Sequence, residues 1–86
     1  MKTFRLTVST PDGSVFSGAA VKISVRGSEG DLAILADHIP FITFVRPCEM
    51  KIELEDGREE KYHTEGGVIT TTGSEVTFLT SQTEKK

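Results

Sequence analysis

Hydrophobic and polar residues alternate with a period of two along most of this chain. Phe4, Leu6 and Val8 alternate with polar residues near the N-terminus, and residues 21–25 and 50–54 repeat the pattern. This spacing is typical of strands that bury one face, whereas the apolar positions of a helix recur every three to four residues. The pattern therefore predicts strands throughout and no helix of normal length.

Turn signals divide the alternating runs into short segments. Pro-Asp-Gly occupies residues 11–13, Asp-Gly residues 56–57 and Gly-Ser residues 73–74. Asp-Gly is typical of a two-residue hairpin loop. Nine or ten short strands at these spacings predict a single all-β domain, a β-sandwich or flattened barrel of about ten strands. We assign the domain to residues 1–80 and expect residues 81–86 to form a polar tail that frays.

The composition excludes several partners and compartments. The 86 residues carry 10 basic and 13 acidic side chains, a net charge of -3, which lacks the basic excess that nucleic acid requires. The one cysteine, Cys48, allows no internal disulfide and favours a reducing compartment. No apolar stretch approaches the roughly 20 residues that span a bilayer, and no signal-peptide block is present. We expect a cytoplasmic protein that reaches a membrane only through other proteins.

The residues that could carry chemistry are few and widely spaced. A zinc site needs three or four converging ligands, and His38, His63 and Cys48 lack that spacing. Cys48 could pair with either histidine as a nucleophile only if the fold joined them, and we interpret it as a plain thiol. The glycine-containing loop at residues 27–30 precedes no helix and carries no lysine in position to bind phosphate. We therefore expect no catalytic residue, no cofactor and no metal.

Two neighbouring segments break the alternation, because residues 32–36 and 41–45 carry apolar side chains on both faces. A strand of a two-sheet sandwich normally buries one face and exposes the other. Loops or the curvature of the sandwich can cover the second face. A partner protein can cover it as well, since exposed apolar patches commonly mark interfaces. The pattern alone favours neither explanation.

Because side chains alternate between the two faces of a strand, residues 41–45 give a testable prediction of which side chains are exposed. Ile42 and Phe44 must share one face of the strand, while Phe41, Thr43 and Val45 take the other. If a partner covers the first face, Ile42 and Phe44 should be exposed in the isolated domain and Val45 should be buried. A shift of one residue in the register would reverse the two faces.

The same region carries a family resemblance. Residues 27–43 read GSEGDLAILADHIPFIT, which resembles the signature of the epsilon subunit of F-type ATP synthases, roughly GSEGELGILPGHAPLLT. The likeness extends to residues 15–18, 46–47, 66–69 and 76–79. It covers about the whole chain in one order, and it is therefore more specific than a single short motif.

The resemblance implies a non-catalytic subunit of the central stalk, the rotor of the synthase. Such a β-sandwich docks onto the gamma subunit and onto the c-ring in the membrane, and it thereby helps couple ion translocation to ATP synthesis. It is cytoplasmic and is held at the inner (plasma) membrane through the complex. The alternative is a free-standing β-sandwich that binds a ligand or regulates another protein outside the synthase. A convergent polar pocket would favour that alternative, whereas a flat apolar patch would favour docking.

Position by position, the resemblance also implies the partner-binding residues. On the rotor-ring side they are Glu29, Gly30 and Asp31. On the gamma side, with the apolar segment included, they are Ser9, Thr10, His38, Ile42, Thr43 and Phe44. The helical hairpin that binds ATP in some family members is not represented in residues 81–86, so we expect no nucleotide binding.

Overall fold

The structure, a computed structural model, describes residues 2–36 and 40–85. These residues form ten strands, which confirms the predicted all-β fold. No helix among them is long and apolar enough to cross a membrane. The strands are β1 (Phe4–Thr10), β2 (Gly13–Ala20), β3 (Lys22–Gly27), β4 (Gly30–Leu35), β5 (Phe41–Val45), β6 (Cys48–Glu53), β7 (Glu59–Thr64), β8 (Gly67–Thr72), β9 (Glu75–Thr80) and β10 (Thr83–Lys85).

The ten strands belong to one hydrogen-bonded sheet, in the order β10-β7-β6-β3-β5-β8-β9-β1-β2, with β4 also paired to β3. Strand β3 joins two halves of this sheet, because residues 22–24 pair with β6 whereas Gly27 pairs with Val45 of β5. We call β5-β8-β9-β1-β2 half-sheet A and β4-β3-β6-β7-β10 half-sheet B. The two halves pack around a shared core as the predicted sandwich or flattened barrel, in which β2 and β10 are not paired with each other.

Three strands of half-sheet A connect directly to strands of half-sheet B. Strand β5 leads into β6 through residues 46–47, β7 into β8 through residues 65–66, and β9 into β10 through residues 81–82. We call this place, where all three strands change direction, the corner. Gly66 has a φ of +93° there, and a Cβ on it would overlap the carbonyl oxygen of Val45. The corner therefore requires glycine for its conformation and for its close backbone approach.

Two buried threonines, Thr64 and Thr80, stabilise the corner through hydrogen bonds. Their hydroxyls lie 2.9 Å apart, and that of Thr80 donates to the carbonyl oxygen of Gly66 at 2.6 Å. The backbone N–H of Gly66 donates to the Thr64 hydroxyl at 3.2 Å. The backbone N–H and C=O groups of Gly66 are thus hydrogen-bonded inside the protein, as buried polar groups usually are.

The core contains the inward-facing side chains of both half-sheets. Met50 and Ile52 are fully buried, which confirms the inward face predicted from their spacing. Burial of such side chains at about 25 cal/mol per Å² of apolar surface is the main stabilising contribution to the fold. Half-sheet A contributes Phe4, Leu6, Val8, Ala20, Val45, Ile69, Val76 and Phe78, and half-sheet B contributes Ile23, Val25, Ile34, Met50, Ile52 and Tyr62.

Among the described residues, Tyr62 is the one member of the core with an ionisable side chain. Its hydroxyl donates a hydrogen bond to Oε1 of Glu60 at 3.0 Å. Burial, together with this hydrogen bond to a carboxylate, raises the pKa of Tyr62 to about 12 from the ordinary value of 10.0. The protonated phenol is the form that the core stabilises.

An alkaline titration should reveal this shift in pKa. The chain contains one tyrosine and no tryptophan, so the phenolate absorbance reports Tyr62 alone. Because the folded pKa exceeds the unfolded one, this stabilisation is complete below a pH of about 10 and is lost as the pH rises towards about 12. Glu60→Gln should lower the folded pKa partway, since burial remains. A folded protein whose phenolate forms at the ordinary pH would contradict this interpretation.

The hairpin between β6 and β7 is confirmed, but its loop differs from the prediction. The N–H of Leu54 donates to the carbonyl oxygen of Arg58 at 2.8 Å, and the N–H of Gly57 donates to that of Leu54 at 3.0 Å. Three residues therefore lie within the loop, and the prediction of a two-residue loop is wrong. Gly57 has a φ of +91°, the conformation that closes a three-residue loop with a bulge.

The C-terminal tail also differs from the expectation, because residues 83–85 form β10 where we expected fraying. Glu84 pairs with His63 of β7, and the Thr83 hydroxyl donates to the carbonyl oxygen of His63 at 2.9 Å. The edge of β7 would otherwise present unpaired backbone groups, which a further strand satisfies. The polar sequence gave no sign of this pairing, because a short edge strand needs no apolar residue.

Candidate docking surface

The outer face of half-sheet A presents two cross-strand rows of side chains. The register of β5, β8, β9, β1 and β2 aligns these outward residues. We call both rows together the neutral face, because neither contains a charged residue. The first row is Phe44, Val68, Leu79 and Ser9; the second is Ile42, Thr70, Thr77, Thr7 and Ser17.

Three large apolar side chains stand exposed on the neutral face. Ile42 is 70% exposed, Phe44 67% and Leu79 55%. Val45, on the opposite face of β5, is only 6% exposed. The prediction that Ile42 and Phe44 are exposed while Val45 is buried is therefore confirmed. An apolar patch of this kind on a small domain commonly marks an interaction site.

A polar row borders the neutral face at the end opposite Phe44. Arg5 of β1 lies beside Glu75 of β9 in the parallel register, and Thr72 of β8 pairs with Glu75. The Arg5 guanidinium also donates to the Ser17 hydroxyl at 3.0 Å. A charge-depleted centre with a charged rim is the usual anatomy of a protein–protein interface.

The outer face of half-sheet B has the opposite character, because charged side chains cover it. Lys51 lies opposite Lys61, and Glu53 lies opposite Glu59. Like charges directly opposite each other on paired strands are unfavourable. The lysine pair and the glutamate pair are only two residues apart along the same strands, so each pair has opposite charges nearby. Solvated charges of both signs suit a face that stays in water.

An open groove of about 700 Å³ lies on this charged face. Lys22, Arg26 and Lys51 line it together with acidic residues that include Asp31 and Glu53. None of these five side chains is buried. A small-molecule site normally encloses its ligand and directs a few buried polar groups at it. The groove therefore lacks the convergent polar pocket that would favour a ligand-binding module.

The tip of the β3–β4 hairpin, residues 28–31, adjoins the Phe44 end of the neutral face. The N–H of Ser28 donates to the carbonyl oxygen of Phe44 at 3.2 Å. The Arg46 guanidinium donates to the carbonyl oxygen of Ser28 at 3.3 Å. We call residues 28–31, the two turn residues and the first two residues of β4, the tip loop. Because it is bonded to the end of β5, the tip loop and the neutral face form neighbouring parts of one surface.

All three residues predicted for the rotor-ring side lie in the tip loop and are exposed. Gly30 has a φ of +124°, a conformation that glycine adopts readily and other residues do not. Nε of Arg26 lies 3.2 Å from Oδ1 of Asp31. Because both side chains are largely exposed, this ion pair contributes little to stability and leaves the carboxylate accessible. The loop presents Glu29, Gly30 and Asp31 to solvent.

The residues predicted to contact the gamma subunit lie in different parts of the structure. Ser9, Ile42 and Phe44 lie on the neutral face. Thr10 lies at the end of β1, where its hydroxyl accepts the N–H of Asp12 at 3.2 Å and stabilises the turn into β2. Thr43 pairs with the buried Ile69 and takes the inner face of β5, so it does not share a surface with Ile42 and Phe44. His38 lies outside the described residues.

Sequence reasoning missed the part of the neutral face that β8 and β9 contribute. Val68 and Thr70 alternate with buried Ile69, so the strand period indicated that they point outward. Leu79 likewise alternates with buried Phe78. What the sequence lacked was the strand order, which brings Leu79 and Val68 beside Phe44.

Among the described residues, no group of three or more His, Cys, Asp or Glu side chains could hold a metal ion. The half-buried Cys48 accepts the N–H of Arg26 at 3.4 Å from its sulfur. Nε2 of His63 lies 2.9 Å from Oε2 of Glu65. The first of these contacts satisfies a backbone N–H of β3, and the second joins two exposed side chains.

The fold is that of a small β-sandwich domain, and its neutral face has the composition of a protein–protein interface. A family model described as "ATP synthase, Delta/Epsilon chain, beta-sandwich domain" matches residues 3–86. The chain belongs to this family, and the resemblance seen in the sequence is confirmed.

Solved structures of two ATP synthases contain chains with the same fold. A chain of the Euglena gracilis mitochondrial ATP synthase, in a structure of OSCP, F1 and c-ring, is 22% identical with a TM-score of 0.91. The match covers 96% of this chain and 53% of that one. A chain of the Tetrahymena thermophila mitochondrial ATP synthase, from its central stalk and c-ring, is 15% identical with a TM-score of 0.78. The match covers 95% of this chain and 66% of that one.

Proposed function

We propose that this chain is the β-sandwich part of a central-stalk subunit of an F-type ATP synthase and that its neutral face docks onto the gamma subunit. The observation that carries the proposal is the pair of exposed apolar side chains Ile42 and Phe44, at 70% and 67% exposure, within a surface that carries no charge. Water contact with these side chains is unfavourable, at about 25 cal/mol per Å² of apolar surface. A permanent partner would shield these side chains from water.

The tip loop is the proposed contact with the c-ring. Glu29, Gly30 and Asp31 are exposed at one end of the domain and adjoin the neutral face. Their polar and acidic character suits the polar loops of a membrane ring better than an apolar surface. One partner on the neutral face and a second at the tip loop would together fix the domain to the rotor.

In this function the chain has no active site of its own. It transmits torque and position between gamma and the ring, so that ion translocation is coupled to ATP synthesis elsewhere in the complex. The domain lies on the cytoplasmic side and is peripheral to the membrane through its partners. Family membership and the fold shared with chains of two ATP synthase structures support this proposal.

Affinity capture from native membranes tests the proposal with a matched pair of variants. The tagged chain should retain the gamma subunit and the ring subunit. Leu79→Glu places a charge in the neutral face and should lose gamma, because an apolar interface would have to bury an unpaired carboxylate. Lys61→Glu changes charge on the opposite face, beside Lys51, and should retain gamma. Capture of neither subunit by the unaltered chain would refute the proposal.

A further inference from the structure

Strand β2 forms one end of the sheet and leaves one backbone edge open. Among the described residues it pairs with β1 alone. The pairing shifts by one residue between Val8 and Ser9, and Val15 is the extra residue that produces this bulge. Beyond the bulge, residues 16–20 pair regularly with β1. Every second residue of this five-residue stretch therefore directs its N–H and C=O groups to the open side.

Apart from the bulge at Val15, this edge has none of the charged residues or prolines that protect sheet edges. Natural edge strands are usually short, charged or interrupted by proline, because an open edge invites another strand to pair with it. Strand β10 has three residues, two of them charged, and β4 contains Asp31 paired to Arg26. In contrast, residues 13–21 contain no charged residue and no proline.

Small side chains also make the edge accessible. Ser17, Gly18 and Ala19 follow one another in β2, and Ser17 and Ala19 are exposed. A Cβ placed on Gly18 would meet only the ring of Phe16, at 3.9 Å. Glycine inside a strand often marks a place where another backbone approaches closely. Ser17 belongs to the neutral face, so the open edge continues that surface.

We infer that the partner covering the neutral face also adds an extended, uncharged segment to the open edge of β2, paired along residues 16–20. This inference rests on the proposed function. A row of unpaired backbone groups is recognised by another extended backbone, which supplies the matching N–H and C=O groups. Because residues 16–20 carry no charge, the added segment has no charge to neutralise. The bulge at Val15 ends the regular pairing and so limits the length of the added strand.

Residue-resolved amide exchange tests this inference on the full chain, alone and bound to the gamma subunit. In the free chain, the amides of residues 16–20 should alternate between slow exchange, where they bond to β1, and fast exchange, where they face the open edge. On binding, the edge-facing amides should slow about ten-fold or more as they gain hydrogen bonds. Isotope-filtered spectra should show backbone contacts between these residues and the partner.

The outcomes separate this inference from the proposed function. If gamma binds and perturbs Ile42 and Phe44 while the edge-facing amides of β2 exchange as in the free chain, the inference is wrong and the proposed function stands. If gamma does not bind, both fail. If the amides become protected in the concentrated free chain, a second copy occupies the edge and the inference is wrong. Protection on gamma binding, with intermolecular backbone contacts, supports it.

Discussion

Val45→Ser should destabilise the isolated domain strongly, whereas Phe44→Ser, one residue away, should change its stability little. Val45 is 6% exposed and packs in the core, so the variant creates a cavity and buries a hydroxyl, at a cost of roughly 3 kcal/mol or more. Phe44 is 67% exposed, and exposed substitutions usually stay within about 0.5 kcal/mol. Urea unfolding of both variants measures the difference. Equal destabilisation by the two would mean that β5 is buried on both faces.

Gly67→Ala should have the largest effect on stability. A Cβ at this position would overlap the carbonyl oxygen of Leu79 on the neighbouring strand. Backbone atoms of paired strands cannot both move aside without breaking the β8–β9 pairing. We expect a loss of roughly 4 kcal/mol or more, a large part of the ~5–15 kcal/mol that keeps a domain folded.

Gly18→Ala is the matched control, because the same added methyl group there meets only the Phe16 ring at 3.9 Å. It should leave the stability nearly unchanged. Thermal unfolding followed by circular dichroism compares the two variants directly. A Gly67→Ala protein as stable as the control would show that the paired ends of β8 and β9 can relax to accept a side chain, and our account of this close approach would then be wrong.

The sequence predicted individual strands well, because alternation and turn residues act locally. The apolar segment at residues 41–45 has the predicted bounds, and Pro40 and Pro47 lie on either side of it. The burial of Met50 and Ile52 also followed from the period of two, since one face of each strand must enter the core.

The corner could not be predicted, because its residues resemble ordinary strand breaks. Residues 46–47, 65–66 and 81–82 look like loops in the sequence, yet each connects a strand of one half-sheet to a strand of the other. Their role depends on contacts between distant residues, such as the bond between the Thr80 hydroxyl and the carbonyl oxygen of Gly66. Such contacts leave no periodic pattern.

The candidate docking surface was predictable only in part. The exposure of Ile42 and Phe44 followed from strand alternation and the family resemblance. The contribution of Val68 and Leu79 required the strand order, which aligns them with Phe44 across three strands. Thr43 is half-buried on the inner face, as strand alternation predicted. Family position alone had grouped it with Ile42.

Isothermal titration of the gamma subunit into the chain, repeated over a range of salt concentrations, tests the central claim most directly. The neutral face predicts an affinity that changes little with salt, because no charge lies within it and salt screens mainly exposed charges. Phe44→Ser should weaken binding by about ten-fold or more, as loss of a buried aromatic anchor does, while the fold remains intact. Unchanged affinity in Phe44→Ser, or an affinity that falls steeply as salt rises, would contradict docking through this face.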